Sequence, residues 1–224
     1  YKQARFGLFV SLFCATVVLF GLYNTSPHSE LAIWYGFFLC VTVSRGILLH
    51  VYSTQEFPEQ NTTLWQNLFM CGAFFGGLTW GLAGSYAFPN HHVLQQTLVI
   101  LVIAGVTAGA IPNLAAVRNA AILFLFASLI PLIINITLNK TVLSLLFLLT
   151  LIAYLFYMLL LARRIHTTTK NAVCLQFEND ALLITLSKTK KQLEFFNKQL
   201  EQAATHDPLT NLANRNLFID NFSK

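Results

Sequence analysis

The chain has 224 residues, 55% of them hydrophobic and only 10% charged, with a formal net charge of +5. A soluble domain carries about 25% charged residues, so composition excludes an ordinary water-soluble globule. The positive balance does not indicate nucleic acid either, because the basic residues form no long patch.

The charges are unevenly spread. From Phe6 to Ser29 there are none, and from Gln60 to Ala162 there are only Arg118 and Lys140. A bilayer tolerates that much continuous apolar surface; water does not. Tyr1 stands where a methionine would begin a chain, so the sequence is expected to be trimmed at this end. No small-residue cleavage site follows the first apolar segment, which is therefore read as a retained span.

Six stretches of about 20 apolar residues predict membrane-spanning helices. They run Ala4–Tyr23, Leu31–His50, Leu64–Phe88, Val93–Leu114, Arg118–Leu138 and Thr141–Ala162. Pro27, Pro58 and Pro89 fall in connections, where a missing N–H costs little. Pro112 and Pro131 fall inside spans and are expected to kink them. Lys2, Arg5, Arg45, Arg118, Arg163 and Arg164 lie towards one side and only Lys140 towards the other. Positive residues stay inside, so both termini are expected in the cytoplasm. The outer connections, Asn24–Glu30, Pro89–His92 and Asn139–Lys140, are then too short for an external binding domain. A signal is expected within the bilayer or at its surface.

Several polar or small residues in the spans are candidates for function. Gly72 and Gly76, Gly77 and Gly81, and Gly105 and Gly109 form three G-x-x-x-G patterns. Such a face allows helix backbones to approach closely, or leaves a hinge or slot for a flat ligand beside Trp80 and Tyr86. Arg45 is the most costly residue in the spans. Either it snorkels to the inner surface, or it faces the bundle interior and binds an acidic ligand or lipid head group. Arg45, Trp80 and Tyr86 are thus the candidate signal-binding residues. Gln66, Asn67, Asn113 and Asn135 are placed to close hydrogen bonds between helices. His28, His91 and His92 fall in outer connections and are candidates for metal binding or pH sensing. Cys14, Cys40, Cys71 and Cys174 have no metal-finger spacing and read as small buried hydrophobes, the alternative being a redox or metal role for Cys14 and Cys40 at similar depth near the bilayer middle.

After Arg164 the character changes. Ile165 to Ala204 contain no Pro and no Gly. Leu175, Asn179, Leu182, Leu186, Thr189, Leu193, Phe196, Leu200 and Ala203 recur at alternating steps of four and three. This is a heptad seam, with Lys188, Lys190, Lys191, Glu194, Lys198 and Glu201 off it. A single narrow stripe does not stabilise a rod alone, so a parallel homodimer is expected through Leu182, Leu186, Leu193, Phe196 and Leu200. Asn179 and Thr189 are polar seam positions that fix its register or let it switch. The alternative is a helix docked on its own membrane domain. The fold class read from the sequence is an all-α membrane protein, a six-transmembrane-helix bundle followed by a long cytoplasmic coiled-coil helix. The expected domains are 1–162, 163–204 and 205–224.

The last stretch reads His206-Asp-Pro-Leu-Thr-Asn-Leu-Ala-Asn-Arg-Asn-Leu-Phe218. It resembles the opening of the GGDEF family, the diguanylate cyclases, roughly Asp-x-Leu-Thr-Gly-Leu-x-Asn-Arg-Arg-x-Phe. Asp207, Leu209, Thr210, Leu212, Asn214, Arg215 and Phe218 match. Asn211 replaces the glycine, a mild change because asparagine tolerates a left-handed backbone, and Asn216 replaces the second arginine. The resemblance covers about 15 residues and implies cyclic di-GMP synthesis from two GTP molecules by paired domains, with Mg as cofactor. It implies that Asn214 contacts guanine; an acidic residue often follows nine places later, where this chain has Ser223. It also implies that the catalytic residues lie beyond Lys224, in a domain only begun here. The six spans resemble, less specifically, the membrane-associated (MASE-like) sensor domains of bacterial cyclases and kinases, through Trp80-Gly81 and Ala108-Gly109-Ala110. The expected setting is a multi-pass protein of the bacterial inner membrane. A second reading has a degenerate GGDEF domain followed by an EAL phosphodiesterase, so that cyclic di-GMP is degraded or only bound. A third, a transporter or channel, is disfavoured because the spans lack paired charges along a pathway.

Overall fold

A computed structural model describes residues 2–54, 62–86, 92–139, 141–206 and 212, with side chains from Gly7 onward. It is all-helical. The elements are α1 (Lys2–Leu22), α2 (His28–Thr54), α3 (Thr62–Ser85), α4 (Val93–Leu114), α5 (Arg118–Leu138) and α6 (Val142–Thr205). α4 and α5 coincide with predicted spans and remain helical through Pro112 and Pro131. α2 begins earlier than expected because the Pro27 carbonyl accepts from the N–H groups of Glu30 and Leu31, at 3.1 and 3.2 Å. His28, read as a loop residue, is therefore the first residue of that helix.

Helices α2 to α6 are each long and apolar enough to cross a membrane, and in α1 the described apolar stretch is Gly7–Leu22. Large apolar side chains stay exposed around them, including Phe9, Phe13, Phe20, Leu94 and Leu138. Apolar surface on this scale faces lipid rather than water. The protein is a helical membrane protein.

The chain divides into two compact units, residues 1–170 and 171–224. In the first, α3 is central and touches α2, α4 and α5. Its small buried residues make this possible: Ala73, Gly76, Gly77, Gly81, Ala83 and Gly84. A β-carbon at Gly77 would lie 2.5 Å from the Phe124 carbonyl oxygen of α5. One at Gly81 would strike the Ala127 carbonyl and lie 2.9 Å from the Pro131 ring. Pro131 has no N–H to offer the Ala127 carbonyl one turn earlier. Gly81 presents a Cα–H to that oxygen instead, a weak contact of about 0.5–1 kcal/mol. Asn135 adds a polar tie, its Nδ2 donating to the Gly84 carbonyl at 3.2 Å.

Between α2 and α3 the tie is aromatic. Trp34 Nε1 donates to the Thr79 carbonyl at 2.7 Å, and the Thr79 hydroxyl donates to the Gly76 carbonyl at 2.8 Å. The Trp80 ring lies 6.3 Å from that of Trp34 and 5.6 Å from that of Phe38. Edge-to-face aromatic pairs at these separations add to burial. Trp34→Phe is expected to lower stability by about 1–2 kcal/mol, since one buried hydrogen bond is lost; the shift in a detergent thermal melt checks this.

α6 meets α4 through a long side chain. The Tyr154 hydroxyl donates to the Ala104 carbonyl at 2.6 Å and lies 2.8 Å from the Thr107 hydroxyl. At its start, the Thr141 hydroxyl accepts from the Ser144 N–H at 3.1 Å, and Ser144 Oγ accepts from the Thr141 N–H at 2.9 Å. This reciprocal cap closes the helix start. Thereafter α6 runs 64 residues without Gly or Pro, so what the sequence divides into a span and a rod is a single helix.

The second unit contains the C-terminal part of α6. Leu182, Leu186, Leu193, Phe196 and Leu200 are between 58 and 67% exposed there. The flanking Leu183 and Phe195 are exposed as well. Lys190 and Glu194, 4.0 Å apart on the helix surface, add little in water.

Candidate functional site

The same G-x-x-x-G pattern has three different fates. Gly77 and Gly81 pack against the α5 backbone. Gly105 and Gly109 face open space, with nothing within 4 Å of where a β-carbon would sit. Gly72 and Gly76 make room for Arg45. A β-carbon at Gly72 would meet Arg45 Cγ at 3.5 Å, and one at Gly76 would meet Nη1 at 2.5 Å.

That pair of contacts gives the direction of the side chain. Its stem lies beside Gly72, and its guanidinium lies one turn further along α3, away from the Thr62 end. Helical Cα–Cβ bonds tilt towards the N-terminus of their own helix, and for α2 that is the same direction. Arg45 therefore points into the bundle, and the snorkelling alternative is not the one the structure adopts. Among the described residues it has no ion pair or hydrogen bond. Glu30, the one acid described in the first unit, lies on the same helix about 22 Å away along the axis. An unpaired cation at such depth costs about 3 kcal/mol on insertion scales.

Arg45 borders a cavity of about 380 Å³ enclosed by α1 to α4, with Phe124 of α5. Most of its wall is apolar. Ser11, Asn113 and Cys14 add the other polar atoms, and Gly72, Gly105 and Gly109 leave it wide. Asn113 Nδ2 donates within its own helix, to the Gly109 carbonyl at 3.2 Å, rather than between helices as expected. Val10 and Leu101 belong both to the wall and to the exposed apolar surface, so the cavity opens sideways towards lipid. A second cavity of about 390 Å³ includes Tyr52, Trp65 and Gln66 and shares Leu48, Leu49 and Phe69 with the first.

The other candidate residues lie apart from Arg45. Trp80 is 1% exposed, sealed in the Trp34–Phe38 cluster. Tyr86 is half exposed just beyond the end of α3. Only Arg45 of this trio borders the cavity. His28 is exposed with its ring 4.6 Å from that of Tyr23. His92 is exposed before α4, while His91 lies outside the described residues. Among the described residues no three His, Cys, Asp or Glu side chains converge as metal ligands do. Asn214 and the matched residues around it, apart from Leu212, also lie outside the described residues. All four cysteines are free thiols; Cys40, Cys71 and Cys174 are exposed rather than buried, and Cys14 is half-buried at the cavity.

One polar contact was not foreseen. His166 Nδ1 lies 2.7 Å from the Ala115 carbonyl; the carbonyl accepts, so this nitrogen carries the proton. The contact joins α6 to the α4–α5 turn. In the sequence His166 merely follows two arginines, and nothing there marks it.

Compared with protein-family models, with curated proteins and with solved structures, the chain matches none. Fold and site define an all-helical membrane protein with a cationic cavity that opens to lipid.

Proposed function

We propose that the chain is the membrane sensor and dimerisation module of a diguanylate cyclase. One observation carries the reading. A single unbroken helix leaves the apolar bundle, presents an uncovered heptad stripe of leucines and Phe196, and ends at Thr205. The stretch beginning at His206 then resembles the opening of a GGDEF domain. Two copies would pair along the stripe, which suits a reaction that needs one GTP from each of two domains.

In this reading six helices span the bacterial inner membrane with both termini in the cytoplasm, as the positions of Lys2, Arg5, Arg118, Arg163 and Arg164 support. The short outer connections leave the bilayer as the source of the signal. That signal acts only if it binds two states of the bundle unequally. GTP and Mg belong to the catalytic domain, and no described residue is assigned to hold either.

The test is GTP turnover by the natural protein in lipid nanodiscs, with product followed by chromatography. Cyclic di-GMP is the expected product. Hydrolysis of added cyclic di-GMP in place of synthesis would show a phosphodiesterase. Neither synthesis nor hydrolysis, with substrate flux in proteoliposomes, would show a transporter.

A further inference from the structure

We propose that the Arg45 cavity binds an amphiphile with an oxyanion head. The head lies against the guanidinium, and the hydrocarbon chain lies along Gly105 and Gly109.

Four observations converge on this chemistry. The guanidinium is aimed inward past Gly72 to Gly76 and has no partner among the described residues. A planar guanidinium matches a carboxylate or phosphate with two parallel hydrogen bonds, so a negative oxyanion supplies what is missing. The rest of the wall is largely apolar, as for a small-molecule site with a few placed polar groups. Gly105 and Gly109 differ from the packing glycines of α3 because no neighbouring helix fills the space beside them. Finally, Val10 of α1 and Leu101 of α4 both line the cavity and are exposed on the apolar outer surface. A ligand entering there comes from the bilayer and brings an apolar tail.

The head group has two natural sources, a free fatty acid and an anionic phospholipid. Both offer the same oxyanion to Arg45. The depth of the guanidinium favours the free acid, because a small carboxylate reaches below the head-group layer with less polar baggage. This assignment names a ligand class for the sensor but does not depend on the cyclase reading. Its readout is labelling of the membrane helices, so the two proposals fail separately.

The test is photolabelling of the protein in phosphatidylcholine nanodiscs with palmitate carrying a mid-chain diazirine, followed by peptide mapping. Saturable labelling of α1 and α4 is expected, competed by unlabelled palmitate. At a concentration below saturation, Arg45→Gln is expected to reduce labelling about tenfold, the loss of one charged contact. Gly105→Leu is expected to do the same by filling the space for the chain. It keeps the guanidinium, and its β-carbon meets nothing within 4 Å, so it reports on the site even if Arg45→Gln fails to fold. Gly36→Leu, also in open space but away from the cavity, is expected to leave labelling unchanged. Repeating the assay in discs containing phosphatidylglycerol separates the sources. Persistent labelling identifies the free acid, and labelling lost to the lipid identifies a phospholipid in the same site. Labelling that palmitate does not compete, or that Gly105→Leu leaves at the wild-type level, would overturn the proposal.

Discussion

Gly81→Val is expected to leave no folded protein in detergent. The readouts are loss of the monodisperse peak in size-exclusion chromatography and loss of a cooperative melting transition. The new side chain would strike the Ala127 carbonyl and the Pro131 ring. Neither moves like the end of a flexible side chain: one is backbone and the other is a ring fixed to it. Overpacking a tight interior costs about 1–3 kcal/mol and occasionally more. At Gly81 the helix pair must separate, which also strains the nearby Asn135 bond to Gly84. Gly109→Ala, by contrast, meets nothing within 4 Å and is expected to melt like the wild type. Equal melting of Gly81→Val and the wild type would show that the α3–α5 contact is not what holds the bundle.

On the proposed cyclase reading, Leu193→Asp combined with Leu200→Asp is expected to convert the proposed dimer into a monomer and to abolish cyclic di-GMP synthesis by the natural protein. Mass photometry in nanodiscs reads the first effect and product chromatography the second. Both side chains are well exposed in the single chain, at 59 and 67%. Their replacement removes nothing from the packing of one copy, so folding should be unaffected. In the proposed dimer each aspartate would bring a like charge opposite its counterpart, in a seam of leucines. A stable dimer with full synthesis would remove the stripe from the mechanism.

The spans themselves are plain in the sequence. A run of apolar residues needs no knowledge of its neighbours, so α4 and α5 match the predicted limits. The continuity of α6 was not read from the sequence, although no Gly or Pro interrupts it from Val142 to Thr205; the switch from lipid-facing to charged composition suggested a boundary where the backbone has none. What the sequence does not reveal is pairing. Three identical glycine patterns serve three purposes because each faces a different object: a side chain, a backbone and empty space. The same limit applies to Trp80, whose seal depends on Trp34 and Phe38 from another helix. Arg45 is intermediate. Its helical position tilts the side chain inward, but only the missing β-carbons of Gly72 and Gly76 allow it to stay there. His166 and Tyr154 gave no signal, because a single hydrogen bond to another helix's carbonyl has no sequence pattern.

The meeting of Pro131 and Gly81 also bears on how the protein is made. A carbonyl deprived of its donor by proline is a poor thing to expose to hydrocarbon, where unsatisfied backbone groups cost several kcal/mol. Without Gly81 beside it, α5 would carry that cost alone. The chain is synthesised from its N-terminus, so α3 precedes α5 out of the ribosome and stands ready when α5 enters the bilayer. The order of helices along the chain thus suits the order of assembly, with the helix that has the exposed carbonyl inserting after the helix that covers it.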